Sequence, residues 1–241
     1  MSCRNLSLAI LVACAAIAAA AVVPTRASAG SSGPTKIESV FPAAGSLLVH
    51  SVAVRANPNP HSKVIKVMHD FRADFRPQVM FAVGERTRSD GNPWYHISIP
   101  MRPNGTYGWV PAAVVSLAPT KGRIVVNVDL RTIDLYWGAR HVWHGKVAVG
   151  APGRETPLGS YFVAARFVPF HDPFLGVFAV ETSAYSKLTE WPGGGVVGIH
   201  GTSLPQLLGQ AVSHGCVRVA NVTAEKLKTY APLGTPILIK K

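Results

Sequence analysis

The chain breaks into short apolar runs, each closed by turn residues, and that punctuation limits what it can fold into. Twenty-two glycines and nineteen prolines lie among 241 residues, which leaves room for many turns and few long helices. Residues 51–56 alternate apolar and polar side chains and run into Asn57-Pro58-Asn59-Pro60, the pattern of a half-buried strand and its turn. Segments 62–68, 79–83 and 94–99 read as further strands, and Asn104-Gly105 turns the chain into 107–110. Beyond Pro119-Thr120-Lys121-Gly122, strands are expected at 123–128, 132–137, 142–149, 161–165, 177–182 and 237–239. A short helix is expected before the last of these. Asn221 or Thr223 would cap it, and Ala224, Leu227 and Tyr230 fall on one face. The fold class is therefore mainly β, in two modules. With 48% hydrophobic and 15% charged residues, bulk disorder is excluded.

Residues 1–29 have the layout of a secretory signal peptide: Arg4, an uncharged run over 6–23, then Ala27-Ser28-Ala29 as a cleavage site. Two alternatives stay open. The 18-residue run just reaches membrane-spanning length, and Leu11-Val12-Ala13-Cys14 has the form of a lipobox. The expected location is outside the cytoplasm, in the periplasm or at the wall and extracellular side of the membrane. Cleavage would remove Cys3 and Cys14 and leave Cys216 as the one thiol, with no internal disulfide. Loss of Arg4 and Arg26 takes the formal charge from +12 to +10. So basic a surface is drawn to anionic wall polymers or phospholipid head groups. No long Lys/Arg run interleaved with aromatics is present, so nucleic acid is not an expected partner.

Residues 30–45 are expected to be a linker, opened by a Gly/Ser/Pro lead-in. Residues 46–117 resemble a bacterial SH3-like domain. The resemblance rests on Val52-x-Val54-Arg55 followed by Asn57-Pro58, on Asp90-Gly91-Asn92-Pro93-Trp94, and on Gly108-Trp109-Val110. It implies a small barrel that either binds wall peptides or serves as a spacer. The stretch His69–Gln78 is longer than the loop usual in that family.

The chemistry concentrates in Ser213-His214-Gly215-Cys216-Val217-Arg218, with a second imidazole at His200. A free thiol has a pKa of roughly 8.5 and is mostly protonated at neutral pH, but an adjacent imidazole can take its proton and form a thiolate–imidazolium pair. His214 and His200 are both candidates. Ser203-Leu204-Pro205-Gln206 has a capping-box pattern for a short helix that would fold His200 back to the thiol. Glycine at 215 allows close backbone approach, so N–H groups of 214–216 are candidates for an oxyanion hole. Arg218 suits a substrate carboxylate. No acidic residue lies nearby in sequence, leaving a backbone carbonyl to orient His200. Two histidines and a cysteine could also be zinc ligands, although the spacing is not that of a structural zinc site. Residues 166–196, aromatic and glycine-rich, read as a lid or binding loop, the alternative being aromatics that cap the core.

Ile199-His200-Gly201-Thr202 followed by Ala211–Arg218 is similar to the signature of the L,D-transpeptidase (YkuD) catalytic domain. Thr156-Pro157-Leu158-Gly159 matches its TPxG element and Gly234-Thr235-Pro236 its closing strand. The resemblance covers about residues 121–240 and implies, for an expected domain of residues 118–241, a β catalytic domain with a short helix, needing no cofactor or metal. It implies Cys216 as nucleophile, His200 as general base and acid, and His214 and Gly215 in the oxyanion wall. Ser213, Arg218, Gly201 and Thr202, with Tyr185 and Trp191 of the insertion, are the candidate substrate-binding residues. The implied partners are peptidoglycan stem peptides, a donor tetrapeptide and an acceptor amine, with carbapenems as covalent inhibitors. The implied product is a 3→3 cross-link. An L,D-carboxypeptidase, an enzyme attaching wall proteins and a non-catalytic wall-binding protein remain as alternatives.

Overall fold

A computed structural model describes residues 40–241 apart from His171 and Trp191. The expected signal peptide and most of the expected linker lie outside the described residues. Among the described residues, no helix is long and apolar enough to cross a membrane.

The first sheet holds seven strands: β1 (Ala43–Leu47), β2 (Ser51–Arg55), β3 (Val64–His69), β4 (Met80–Thr87), β5 (Pro93–Ser98), β6 (Tyr107–Pro111) and β7 (Val115–Pro119). They pair in the order β3-β2-β6-β5-β4-β1-β7, antiparallel throughout. Alternation along the strands aims Val54, Met80, Ile97 and Val110 into a shared core, where all four are fully buried. Strand β1 begins inside the segment expected to be a linker. Its Ala-Ala-Gly start carries little apolar signal, yet it sits between β4 and β7. A Cβ on Gly45 would fall 1.8 Å from the carbonyl oxygen of Ser116, so this close pairing requires the glycine.

The second sheet follows directly: β8 (Gly122–Asn127), β9 (Thr132–Trp137), β10 (Arg140–Gly150), β11 (Gly159–Phe167), β12 (Ala179–Tyr185), β13 (Val196–His200), β14 (Ala211–Ser213), β15 (Val217–Val219), then helix α1 (Asn221–Tyr230) and β16 (Pro236–Lys240). The order is β14-β10-β15-β13-β12-β11-β16-β8-β9, and a further pairing of β9 with β10 closes it into a ring. Closure leaves few unpaired edges. Helix α1 buries Thr223, Ala224 and Leu227 against this sheet. Its cap differs from expectation: Ala220 occupies the cap position without a side-chain bond, and Asn221 is the first helical residue. The Thr223 hydroxyl is turned inward and accepts from Trp143 Nε1 at 3.1 Å. The capping box expected at 203–206 does not form either. That region holds only a single 3₁₀ turn, Pro205–Leu207, with no side-chain cap.

The two sheets share one compact unit. Phe81 of β4 stacks on Phe162 of β11, centroids 4.9 Å apart, within a small buried cluster completed by Val79 and Ala164. Asn104 clasps the backbone of Tyr185 twice, Nδ2 donating to its carbonyl at 2.8 Å and Oδ1 accepting its N–H at 2.9 Å. Arg102 lies over the Tyr185 ring and donates to the Ser186 carbonyl at 3.0 Å.

Candidate active site

Strands β13 and β15 run parallel and pair Ile199 with Val217 and His200 with Arg218. This register, rather than a helix between them, brings His200 to the thiol. The Cys216 sulfur accepts the Gly198 N–H at 3.3 Å. A Cβ placed on Gly198 would meet His200 Cδ2 at 3.8 Å and Cys216 Sγ at 3.9 Å, so imidazole and thiol both adjoin one bare backbone position.

His200 is buried, 3% exposed. Its Nδ1 lies 2.6 Å from the Gly201 carbonyl oxygen. A carbonyl can only accept, so Nδ1 carries the proton and Nε2 is left as the basic nitrogen. The backbone carbonyl expected in place of an acidic partner is thus supplied by the next residue. Asn221 holds that segment from the start of α1: its Oδ1 accepts from Thr202 N at 3.2 Å and from Val177 N at 3.3 Å. Burial, only partly offset by the Gly201 hydrogen bond, lowers the His200 pKa to about 4. Burial also pushes the Cys216 thiol up, against the Gly198 N–H and the positive charge of Arg218. The resting pair is therefore neutral thiol and neutral imidazole, not the ion pair that adjacency alone suggests.

His214 is turned toward another partner, its Nε2 engaged by the Arg154 guanidinium. Gly215 has φ +115°, and a Cβ there would press on Ser186 at 2.9 Å, so the turn depends on glycine. Its N–H donates to Ser213 Oγ at 3.1 Å, its carbonyl accepts from Thr156 Oγ1 at 2.9 Å, and Ser213 Oγ donates to the Cys216 carbonyl at 2.5 Å. Gly215 thus spends its N–H within the loop, and its contribution is conformational. The backbone N–H of Cys216 remains a candidate for an oxyanion site. Thr156, from the TPxG element, is the buttress that sequence reasoning left without a role. Gly198 was missed altogether. It lies two residues before His200, which is the only trace of its role in the sequence.

The cleft over the thiol measures about 530 Å³. Ser213, His214, Cys216, Arg218 and His200 line it, as do Asp172, Phe174 and Leu175 of the insertion. The insertion thus does contribute to the site. Arg218 is 6% exposed, its guanidinium lies 4.5 Å from the Phe174 ring centroid, and its buried Nε has no hydrogen-bond partner among the described residues. Gly201, Thr202 and Tyr185 do not line this cleft. Thr202 is buried and its hydroxyl accepts from Leu204 N at 3.0 Å, while Tyr185 belongs to the junction between the sheets. Trp191 lies outside the described residues. A separate cluster stands on the β9–β10 hairpin, where Asp134 Oδ1 accepts from His141 Nε2 and His144 Nδ1, both at 2.8 Å.

A thiol and a basic ring nitrogen in a half-closed cleft, with a buried cation beside them, have what nucleophilic acyl transfer requires. Residues 121–239 match the family model for YkuD, the L,D-transpeptidase catalytic domain. The match spans just under half of the chain and supports an L,D-transpeptidase catalytic domain there. Two curated relatives, each described as a candidate L,D-transpeptidase YkuD, come from Bacillus licheniformis and Bacillus subtilis strain 168. They are 33% and 30% identical over 117 and 118 residues, 48% and 49% of this chain. The aligned region spans 64% and 65% of those proteins. Among solved structures, an L,D-transpeptidase from Mycobacterium smegmatis aligns at 16% identity and a TM-score of 0.45, covering 68% of this chain and 90% of its own.

Proposed function

We propose that the protein is an exported peptidoglycan L,D-transpeptidase that forms 3→3 cross-links through a thioester on Cys216. The observation that carries this reading is the convergence of the Cys216 sulfur and the His200 ring over Gly198. His200 Nε2 takes the thiol proton as sulfur attacks the carbonyl of the third residue of a donor tetrapeptide. The backbone N–H of Cys216, in the loop that Gly215 shapes, receives the developing oxyanion. Collapse breaks the peptide bond, and His200 returns the proton to the departing D-alanine amine. The amine of a second stem then attacks the thioester, gives its proton to His200, and releases the cross-linked product and the free thiol. Neutral resting partners suit this sequence, because the proton moves only when sulfur attacks. Arg218, whose Nε has no partner among the described residues, holds a substrate carboxylate. The first sheet is read as an SH3-like module on the motifs quoted above, and residues 1–29 as the export signal.

The test is intact-protein mass spectrometry after incubation with a carbapenem. One covalent adduct is expected on the wild type and none on Cys216→Ala. An unmodified wild type, or the same adduct on the variant, would overturn the nucleophile assignment. Muropeptide analysis then separates cross-linking from trimming, since water in place of the amine would give an L,D-carboxypeptidase.

A further inference from the structure

The loop joining β3 to β4 crosses from the first sheet to the cleft of the second. Arg72, Ala73, Asp74 and Arg76 line that cleft together with His200 and Cys216. The loop is internally built. Arg72 N donates to the Arg76 carbonyl at 2.9 Å, Gln78 N to that of Asp70 at 2.8 Å, and Phe71 bridges to Pro77. It is also tied down across the cleft. Arg72 Nη2 and Arg76 Nη2 each donate to one oxygen of Glu181 on β12, both at 2.7 Å, and Asp74 Oδ2 lies 3.1 Å from Arg72 Nη2 and 2.6 Å from Arg76 Nη2. Val79 and Phe81, just past the loop, are buried with Phe162 of β11, so this wall is held in place.

The polar groups of this wall are not evenly satisfied. Both oxygens of Glu181 accept from arginine. Both oxygens of Asp74 accept from Arg76, and Asp172 Oδ1 accepts from Phe174 N. Unengaged guanidinium donors stand beside them. Arg72 engages only Nη2 among the described residues, and the buried Nε of Arg218 is partnerless. Partly buried guanidinium donors of this kind favour a carboxylate.

The geometry points to a peptide-binding subsite built by both sheets, in which loop 70–78 is the outer wall and Arg72 receives a free carboxylate of the peptide whose carbonyl reaches Cys216. Glu181 is the positioning residue that holds the wall. This inference rests on the acyl-transfer reading of the site. It also gives the first sheet a part in the reaction that neither wall binding nor spacing would provide.

The test uses the full chain and two stem-peptide substrates that differ only in free carboxylate against carboxamide. For the wild type, a KM about tenfold lower for the carboxylate peptide is expected, the size of one good charge-assisted contact. In Arg72→Gln that ratio should fall toward one, and in Arg72→Lys it should be partly restored. Glu181→Gln, which takes the anchoring charge from Arg72, should lower the ratio as well, by less than Arg72→Gln does. Acylation by a carbapenem checks the underlying reading separately. Should the carbapenem fail to label even the wild type, the enzyme assignment falls. Should labelling be normal while Arg72→Gln leaves the ratio intact, or shifts both peptides alike, the subsite is refuted.

Discussion

At the scale of single residues, the burial of His200 governs the pH behaviour. With its pKa lowered to about 4, the imidazole stays neutral and basic well into acid, so the acid limb of kcat/KM is expected near pH 4 rather than near 6.5. A limb at 6.5 in a rate profile would contradict it. Stability follows the same shift with a definite sign. Between these two pH values the unfolded chain binds a proton at His200 that the folded chain does not, so stability falls as pH is lowered through this window. The loss amounts to about 3 kcal/mol at most. Melting temperatures from pH 7 to 4 should show it in the wild type and show a shallower slope in His200→Gln. Gly198 makes a second prediction. A methyl there would sit at ordinary contact distances, 3.5–3.9 Å from its neighbours, so Gly198→Ala should fold with a nearly unchanged melting temperature. The methyl would nonetheless touch both the imidazole and the sulfur, and kcat should fall by about a hundredfold, as small displacements at a reacting centre do.

At the scale of elements, α1 serves the site through its first residue. Removing the Asn221 carbonyl oxygen leaves the N–H groups of Thr202 and Val177 unpaired, costing about 1–3 kcal/mol, and loosens the segment whose carbonyl sets the His200 tautomer. Asn221→Ala should therefore lower kcat and stability together. Asn221→Asp, which keeps the acceptor and suits a helix N-terminus, should retain most of both. Parallel kinetics and thermal melts on the two variants check this. The elements also show where the sequence was legible. Strand β9 falls where alternation places it, at Thr132–Trp137, and β2 within a residue of it. Strands β14 and β15 have three residues each, too few for a period to register, and β1 is hidden by small residues whose purpose is close approach. The thiol and its base could be found because few residue types do that chemistry. Asn221 could not, since as an apparent cap it obeys a local rule while its side chain serves a distant loop.

At the scale of the whole molecule, the two sheets melt as one if the junction is as continuous as its contacts indicate. Phe81→Ala removes half of the ring stack and opens the buried cluster with Phe162, a change of the kind that costs about 3–5 kcal/mol. Calorimetry should show one transition moved to lower temperature. Two separate transitions would mean that the sheets fold independently. The cleft over Cys216 draws part of its lining from residues 72–76, which precede the 121–239 segment matched by the family. An inhibitor confined to the thiol and its immediate loop would meet only residues of the 121–239 segment. One extended far enough to touch Arg72 and Asp74 would meet chemistry that the 121–239 segment alone does not supply, so its affinity would report on the first sheet as well as on the thiol.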